Sequence, residues 1–232
     1  MSGTLNQIVP WAIPRTPDRL HAFLGEVFAI DVPRTAITEG ASSPFDYLVH
    51  AFFEPGMRDE EGPEEENQTT GDCVVWASRG SGKTFYSAIA TALDLIFKPG
   101  VEVRVLGGSL EQASRMYEHL RDVFDQDDLA PLVDGRITER KLQLVNGSRV
   151  ALLAASQTSV RGVRPNILRC DEVDLFDPDV WRAATLTTRS AKCGDVLVRG
   201  RIEALSTWHL AGGMMSRLVP NAQLEGRKSF RW

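Results

Sequence analysis

The run Ala77-Ser78-Arg79-Gly80-Ser81-Gly82-Lys83-Thr84 restricts what this chain can fold into more than any other stretch. It follows the apolar segment Val74-Val75-Trp76 and precedes Ala88, Ile89, Ala92, Leu93 and Ile96, which fall on one face at helical spacing. A strand, a glycine-rich loop and a helix in that order make a phosphate-binding unit. Gly80 and Gly82 let main-chain N–H groups approach phosphate oxygens. Lys83 supplies a point charge for the β and γ phosphates, and Thr84 offers a hydroxyl to Mg²⁺. Ser78, Arg79 and Ser81 complete the nucleotide-contacting loop. Ala77 stands where the usual pattern G-x-x-x-x-G-K-[ST] has glycine. A bare Gly-Lys-Thr also suits an ordinary turn and helix start, and it is the flanking strand and helix that favour phosphate.

Such a site needs an acidic strand end, and Ile167-Leu168-Arg169-Cys170-Asp171-Glu172 supplies one. Neighbouring strand residues point in different directions, so Asp171 can organise Mg²⁺ while Glu172 polarises the attacking water. Arg169 interrupts the apolar run and predicts that one face of this strand meets a polar layer or a subunit boundary. Taken alone, Asp171, Glu172 and Asp174 read equally well as a solvated acidic turn. Between the two motifs, Val101 to Leu106 predicts a strand, and Lys141 to Val145 with Arg149 to Leu153 predicts a hairpin turning at Asn146-Gly147. Extra strands with an acidic pair favour the ATPase branch of these folds over small GTPases and simple kinases.

A γ phosphate leaving ADP needs a mobile cation. Arg161, on the polar loop from Ser156 to Pro165, is the first choice, acting in this subunit or a neighbour, and it reads as readily as a solvated surface arginine; Arg79 competes with it, its long side chain suiting a response to nucleotide state as well. Ile202-Glu203-Ala204-Leu205 predicts another buried strand, ending in Ser206-Thr207-Trp208-His209. Its hydroxyls suit sensing of the γ phosphate, or plain capping of a turn.

A length of 232 residues supports one α/β domain with trimmings and leaves no room for a second nucleotide lobe. Cys73, Cys170 and Cys193 lack metal-ligand spacing and read as reduced intracellular thiols. No stretch is long and apolar enough to cross a bilayer. The six carboxylates and one arginine between positions 58 and 71 account for the whole formal charge of −5, so the acidic run reads as a solvated linker. Before it, Thr16-Pro17 and Ser43-Pro44 start two helices, through Phe28 and Phe53, whose apolar faces suit packing on the main sheet. The expected organisation is an N-terminal helical extension (1–57), an acidic linker (58–71), a P-loop ATPase core (72–220) and a C-terminal segment (221–232). The expected fold is an α/β P-loop NTPase of the additional-strand, RecA/helicase-like kind, three layers deep, with a mainly parallel central sheet and N-terminal helices.

The ordered set Ser78 to Thr84, Ser159-Val160-Arg161-Gly162, Cys170-Asp171-Glu172-Val173-Asp174 and Leu205-Ser206-Thr207 resembles the N-terminal ATPase domain of the large terminase subunit of tailed bacteriophages. The resemblance spans roughly Cys73 to His209. It implies a motor that hydrolyses Mg²⁺-ATP to drive double-stranded DNA through a portal protein into the procapsid, with the small terminase subunit as a further partner and no membrane. By that resemblance Lys83 and Thr84 bind phosphate and Mg²⁺, Asp171 holds the metal and Glu172 is the catalytic carboxylate. Ser206-Thr207 matches the coupling motif; Arg79 takes the place of the family's loop arginine, and Arg161 that of an arginine reaching a neighbour's site. Trp208-His209 is less typical there. The resemblance further implies a homo-oligomeric ring when assembled, a monomer in isolation, and residence in the host cytoplasm with transient docking on the portal, outside the mature virion. Family members continue into a C-terminal nuclease; the sequence to Trp232 reads as an isolated ATPase domain that does not cut DNA, with Lys228 to Trp232 approaching a linker. The competing readings are a helicase-like translocase and a nucleotide-gated assembly module with little turnover.

Overall fold

The computed structural model describes residues 9–55, 57–58, 71–154, 156–208 and 210–232. Seven strands form one sheet: β1 (Cys73–Trp76), β2 (Glu102–Gly107), β3 (Lys141–Gln143), β4 (Arg149–Leu153), β5 (Ile167–Asp171), β8 (Arg201–Ser206) and β9 (Lys228–Arg231). Two short strands, β6 (Ala191–Cys193) and β7 (Val196–Val198), make a separate antiparallel hairpin. The order across the large sheet is β3-β4-β2-β5-β8-β1-β9, and every pairing is parallel except β3 with β4. β8 therefore lies between the strand that feeds the glycine loop and the strand that ends in Asp171. This is the additional-strand arrangement expected from the sequence.

The two faces of the sheet follow from alternation along each strand. Cys73, Val75, Val103, Val105, Ile167, Leu205 and Phe230 pack under α1 (Pro17–Val27), α2 (Pro44–Phe52), α3 (Lys83–Phe97) and α4 (Leu110–Phe124). Val74, Leu106, Leu168, Cys170, Ile202 and Ala204 face α6 (Pro178–Ala184) and α7 (Met215–Asn221), with Val160 from α5 (Gln157–Arg161). Three layers result. The helix starts use the expected chemistry: Thr16 accepts from the Arg19 N–H, and Ser43 and Asp46 form a reciprocal capping box ahead of Pro44. Phe23 and Phe52 both meet Phe97 edge to face, so the aromatics of α1 and α2 serve as core rather than as a base platform.

Three sequence expectations change in the structure, and the polar layer expected beside Arg169 is found. The segment from Ser156 to Pro165 is not all loop, because Ser156 caps the short helix α5. Lys228 to Arg231 does not leave the domain as a linker approach; it adds β9 to the sheet edge beside β1, with Trp76 opposite Arg231. Asp174 does not belong to a solvated turn: it is 4% exposed. Arg169 meets a polar layer inside the subunit, being fully buried against Asp94 and Glu203. The acidic run from Asp59 to Glu66 lies outside the described residues, as does His209.

Candidate nucleotide-binding site

Parallel strands deliver their carboxyl ends to one edge of the sheet, and ligands of open α/β folds sit in the crevice there. β1, β5 and β8 end side by side at Trp76, Asp171 and Ser206. The loop leaving β1 needs a left-handed backbone at Gly80 (φ 79°) and Gly82 (φ 83°). Gly82 has a second constraint, since a Cβ there would stand 2.9 Å from the Tyr86 ring. α3 starts at Lys83 with no side-chain cap, which leaves its first amides and positive dipole end available to an anion. The buried hydroxyl of Ser81 has no hydrogen-bond partner among the described residues, an orphan polar atom that suits a polar guest.

The two distant motifs meet. Thr84 Oγ1 donates to Asp171 Oδ2 at 2.9 Å, joining the loop helix to the carboxylate strand. Lys83 Nζ curls back to the carbonyls of Ala77 (3.3 Å) and Ser78 (3.1 Å) and donates to Thr207 Oγ1 (3.0 Å), so the segment leaving β8 and the loop lysine are in direct contact. Burial lowers the Lys83 pKa, against the pull of Glu172 and Asp171. Burial pushes the Asp171 carboxyl up to about 6, opposed by the Thr84 hydrogen bond and aided by the Glu172 charge. A hydroxyl and a buried carboxylate are hard oxygen donors, the set that suits Mg²⁺ when phosphate and water complete its shell.

Glu172 takes a left-handed backbone (φ 56°, ψ 45°), uncommon for a residue with a side chain. Its N–H donates to Asp171 Oδ1 at 3.1 Å, and its carboxylate accepts from Ser206 Oγ at 3.3 Å. Ser206 Oγ also accepts from the Asp174 N–H at 3.3 Å. Lys83, Thr84, Asp171, Glu172, Ser206 and Thr207 thus form one hydrogen-bonded cluster. Ser78, Arg79 and Gly80 sit on the exposed side of the loop. Arg161 is exposed on α5, which packs on α6, and among the described residues neither Arg79 nor Arg161 has a side-chain hydrogen bond or ion pair.

Sequence reasoning missed the role of Asp174. Its Oδ1 accepts from the Met215 N–H at 2.8 Å and its Oδ2 from the Leu210 N–H at 3.1 Å, pinning the segment that runs from β8 into α7. Gly213 completes the fit, because a Cβ there would lie 2.3 Å from Asp174 Oδ1. No local signal marked Asp174, because its partners Leu210 and Met215 lie 36 and 41 positions away.

Comparison with known proteins agrees with this fold. The chain is similar in fold to the large terminase of bacteriophage HK97, with TM-score 0.67 and 15% identity over 94% of this chain and 44% of that one. It is also similar to the large terminase of a thermophilic bacteriophage in complex with ADP, with TM-score 0.57 and 13% identity over 82% of this chain and 44% of that one. The ATPase domain of a Thermus phage large terminase aligns with TM-score 0.50 and 13% identity over 80% of this chain and 84% of that one. The chain thus spans less than half the length of the first two relatives. No curated protein sequence matches it. The family model described as terminase large subunit, T4-like-virus type, N-terminal, matches residues 74–190, half of the sequence, with the phosphate loop and the carboxylate strand but not Ser206-Thr207, and the chain belongs to that family.

Proposed function

We propose that the chain is the ATP-hydrolysing motor domain of a DNA-packaging terminase. The observation that carries this reading is the 2.9 Å hydrogen bond from Thr84 to Asp171, which brings the glycine loop and the carboxylate strand into one site. ATP is the substrate. Lys83 and the loop amides bind its phosphates, while Thr84 and Asp171 are the residues that would hold Mg²⁺. The ion, when bound, neutralises charge on the β and γ oxygens. Glu172 orients and polarises the attacking water from the strand end, and Ser206 holds its carboxylate until nucleotide arrives. Phosphate draws Lys83 away from Thr207, so the coupling strand registers an occupied site without a separate sensor. Arg161 or Arg79 supplies the cation for the leaving γ phosphate; the exposure of Arg161 on α5 supports a role for it in a neighbouring subunit's site.

On this reading the work done is translocation of double-stranded DNA into a procapsid in the host cytoplasm, with the portal protein and small terminase subunit as partners. The family match supports a packaging role, and the relatives solved with ADP and with ATP-γ-S support nucleotide binding. Glu172→Gln is expected to bind ATP as the parent does and to lose at least about a hundred-fold in turnover, the scale of a general-base contribution. Lys83→Ala is expected to lose both. Parent-like turnover in either variant would overturn the reading.

A further inference from the structure

The end of β9 touches the phosphate loop. Parallel pairing of β9 with β1 sets Arg231 opposite Trp76, the last residue before the loop, and this brings Trp232 alongside it. The Trp232 indole Nε1–H donates to the Ser81 carbonyl at 3.0 Å. The ring is seated against Tyr86 (centroids 6.1 Å apart, near perpendicular) and Tyr47 (6.2 Å). Tyr86 is itself the ring that Gly82 must clear. Arg231 holds its guanidinium 5.4 Å from the centre of the Trp76 ring, and its carbonyl accepts from the Ser42 N–H at 2.6 Å, so the tail is fixed on both sides. Trp76 in turn meets Trp208, the residue after Ser206-Thr207.

A trans peptide is planar, and its C=O and N–H point in opposite directions. A donor that holds the Ser81 carbonyl toward β9 therefore turns the Gly82 N–H away from β9. The Gly82 N–H has no partner among the described residues, and amides of such loops are the groups that meet phosphate oxygens. We propose that Trp232 is a positioning residue for nucleotide: by holding the Ser81 carbonyl it presents the Gly82 amide to a phosphate oxygen. This rests on the nucleotide site proposed above and extends it to a residue on a different strand. Linkage makes the effect mutual, so phosphate binding also strengthens the seating of the β9 tail.

The test removes the donor without changing shape. Replacing the Trp232 indole by benzothiophene, with sulfur in place of N–H, keeps the ring against Tyr86 and Tyr47; Trp232→Phe is the simpler companion. ADP affinity is measured by calorimetry, alongside the melting temperature without nucleotide. The expected result is ADP affinity weakened about three- to ten-fold in the benzothiophene protein, with its nucleotide-free melting temperature lowered by no more than the loss of one hydrogen bond accounts for, about 2–4 °C. Unchanged ADP affinity overturns the proposal. So does a loss of affinity in Trp232→Phe that the benzothiophene protein does not share, because the ring and not its N–H is then what the site needs. Lys83→Ala run in parallel separates the two levels. If it binds ADP as the parent does, the nucleotide site itself is misassigned; if it loses ADP while the benzothiophene protein does not, only the role of Trp232 fails.

Discussion

Asp171 shows how a single residue's environment sets stability against chemistry. It is 2% exposed, and burial raises its carboxyl to about 6 from an ordinary 3.8. Between those values the unfolded chain has lost its proton while the folded chain keeps it. Stability therefore falls as pH rises through that window, by up to about 3 kcal/mol. Asp171→Asn removes the ionisation and retains an oxygen for the Thr84 hydroxyl. The variant is expected to be more stable than the parent by about 1–2 kcal/mol at pH 8 in the absence of nucleotide and metal, and no more stable at pH 4, while ATP turnover disappears. Urea denaturation at the two pH values checks this, and equal stability at pH 8 would contradict it. The residues of the phosphate loop and the acidic pair were legible because each motif is short and its chemistry is local. The contacts from Lys83 to Thr207 and from Ser206 to Glu172 were not, since they join residues 124 and 34 positions apart and depend on strand order. Trp232 was illegible for the same reason: its partner, Ser81, is 151 positions away.

At the scale of elements, α2 is tied to the sheet edge through a half-buried base. His50 lies on α2 with its ring 5.3 Å from Phe230 of β9, and its Nε2 is 3.2 Å from the Gly71 carbonyl. Burial lowers its pKa to about 4 from 6.5, with Arg201 and Lys228 adding to the effect and Glu203 and the Gly71 carbonyl opposing it. As pH falls from 6.5 to 4 the unfolded chain takes up a proton that the folded chain refuses. The docking of α2 on β9 thus loses roughly 2–3 kcal/mol across that interval. His50→Gln keeps a donor for the Gly71 carbonyl and has no such titration. Its stability is expected to be flatter than the parent's between pH 6.5 and 4, measured by thermal melts in matched buffers; identical slopes would remove His50 from the account. Both N-terminal helices were readable from their Thr-Pro and Ser-Pro starts. β9 was not, because Lys-Ser-Phe-Arg offers one inward residue, Phe230, and becomes a strand through pairing with β1 rather than through its own pattern.

The whole molecule is held together by charge as well as by apolar packing. Arg169 on β5 faces Glu203 on β8 in register, at 2.9 Å, and reaches Asp94 on α3 at 2.7 Å and the Thr91 hydroxyl at 3.1 Å. Lys98 binds Asp94 at 2.6 Å and Glu54 at 3.1 Å; Arg201 joins Glu54, Glu203 and Asp94; Tyr47 on α2 donates to Glu203 at 2.7 Å. Three cations and three carboxylates balance in a layer between the sheet and α3, and they reach α2 through Tyr47 and through Glu54. Burial opposes the ionisation of Asp94 and Glu203, but Lys98, Arg201 and Arg169 around the first, and Arg169 and Arg201 around the second, hold both carboxyls below their usual range. Removing one member leaves its partners charged and dry. Arg169→Met is therefore expected to cost about 3–5 kcal/mol, which for a domain of this size is a fall of about 6–20 °C in melting temperature. Adding Asp94→Asn to it should cost less than the sum of the two single changes, since the second removes a charge the first has stranded. The network spans α2, α3, β5 and β8, so the parent should unfold in one transition, with calorimetric and van't Hoff enthalpies equal and the N-terminal helices losing protease protection together with the sheet. Separate melting of residues 9–55, or additive single and double variants, would show that the charged layer does not join the N-terminal helices to the nucleotide-binding core.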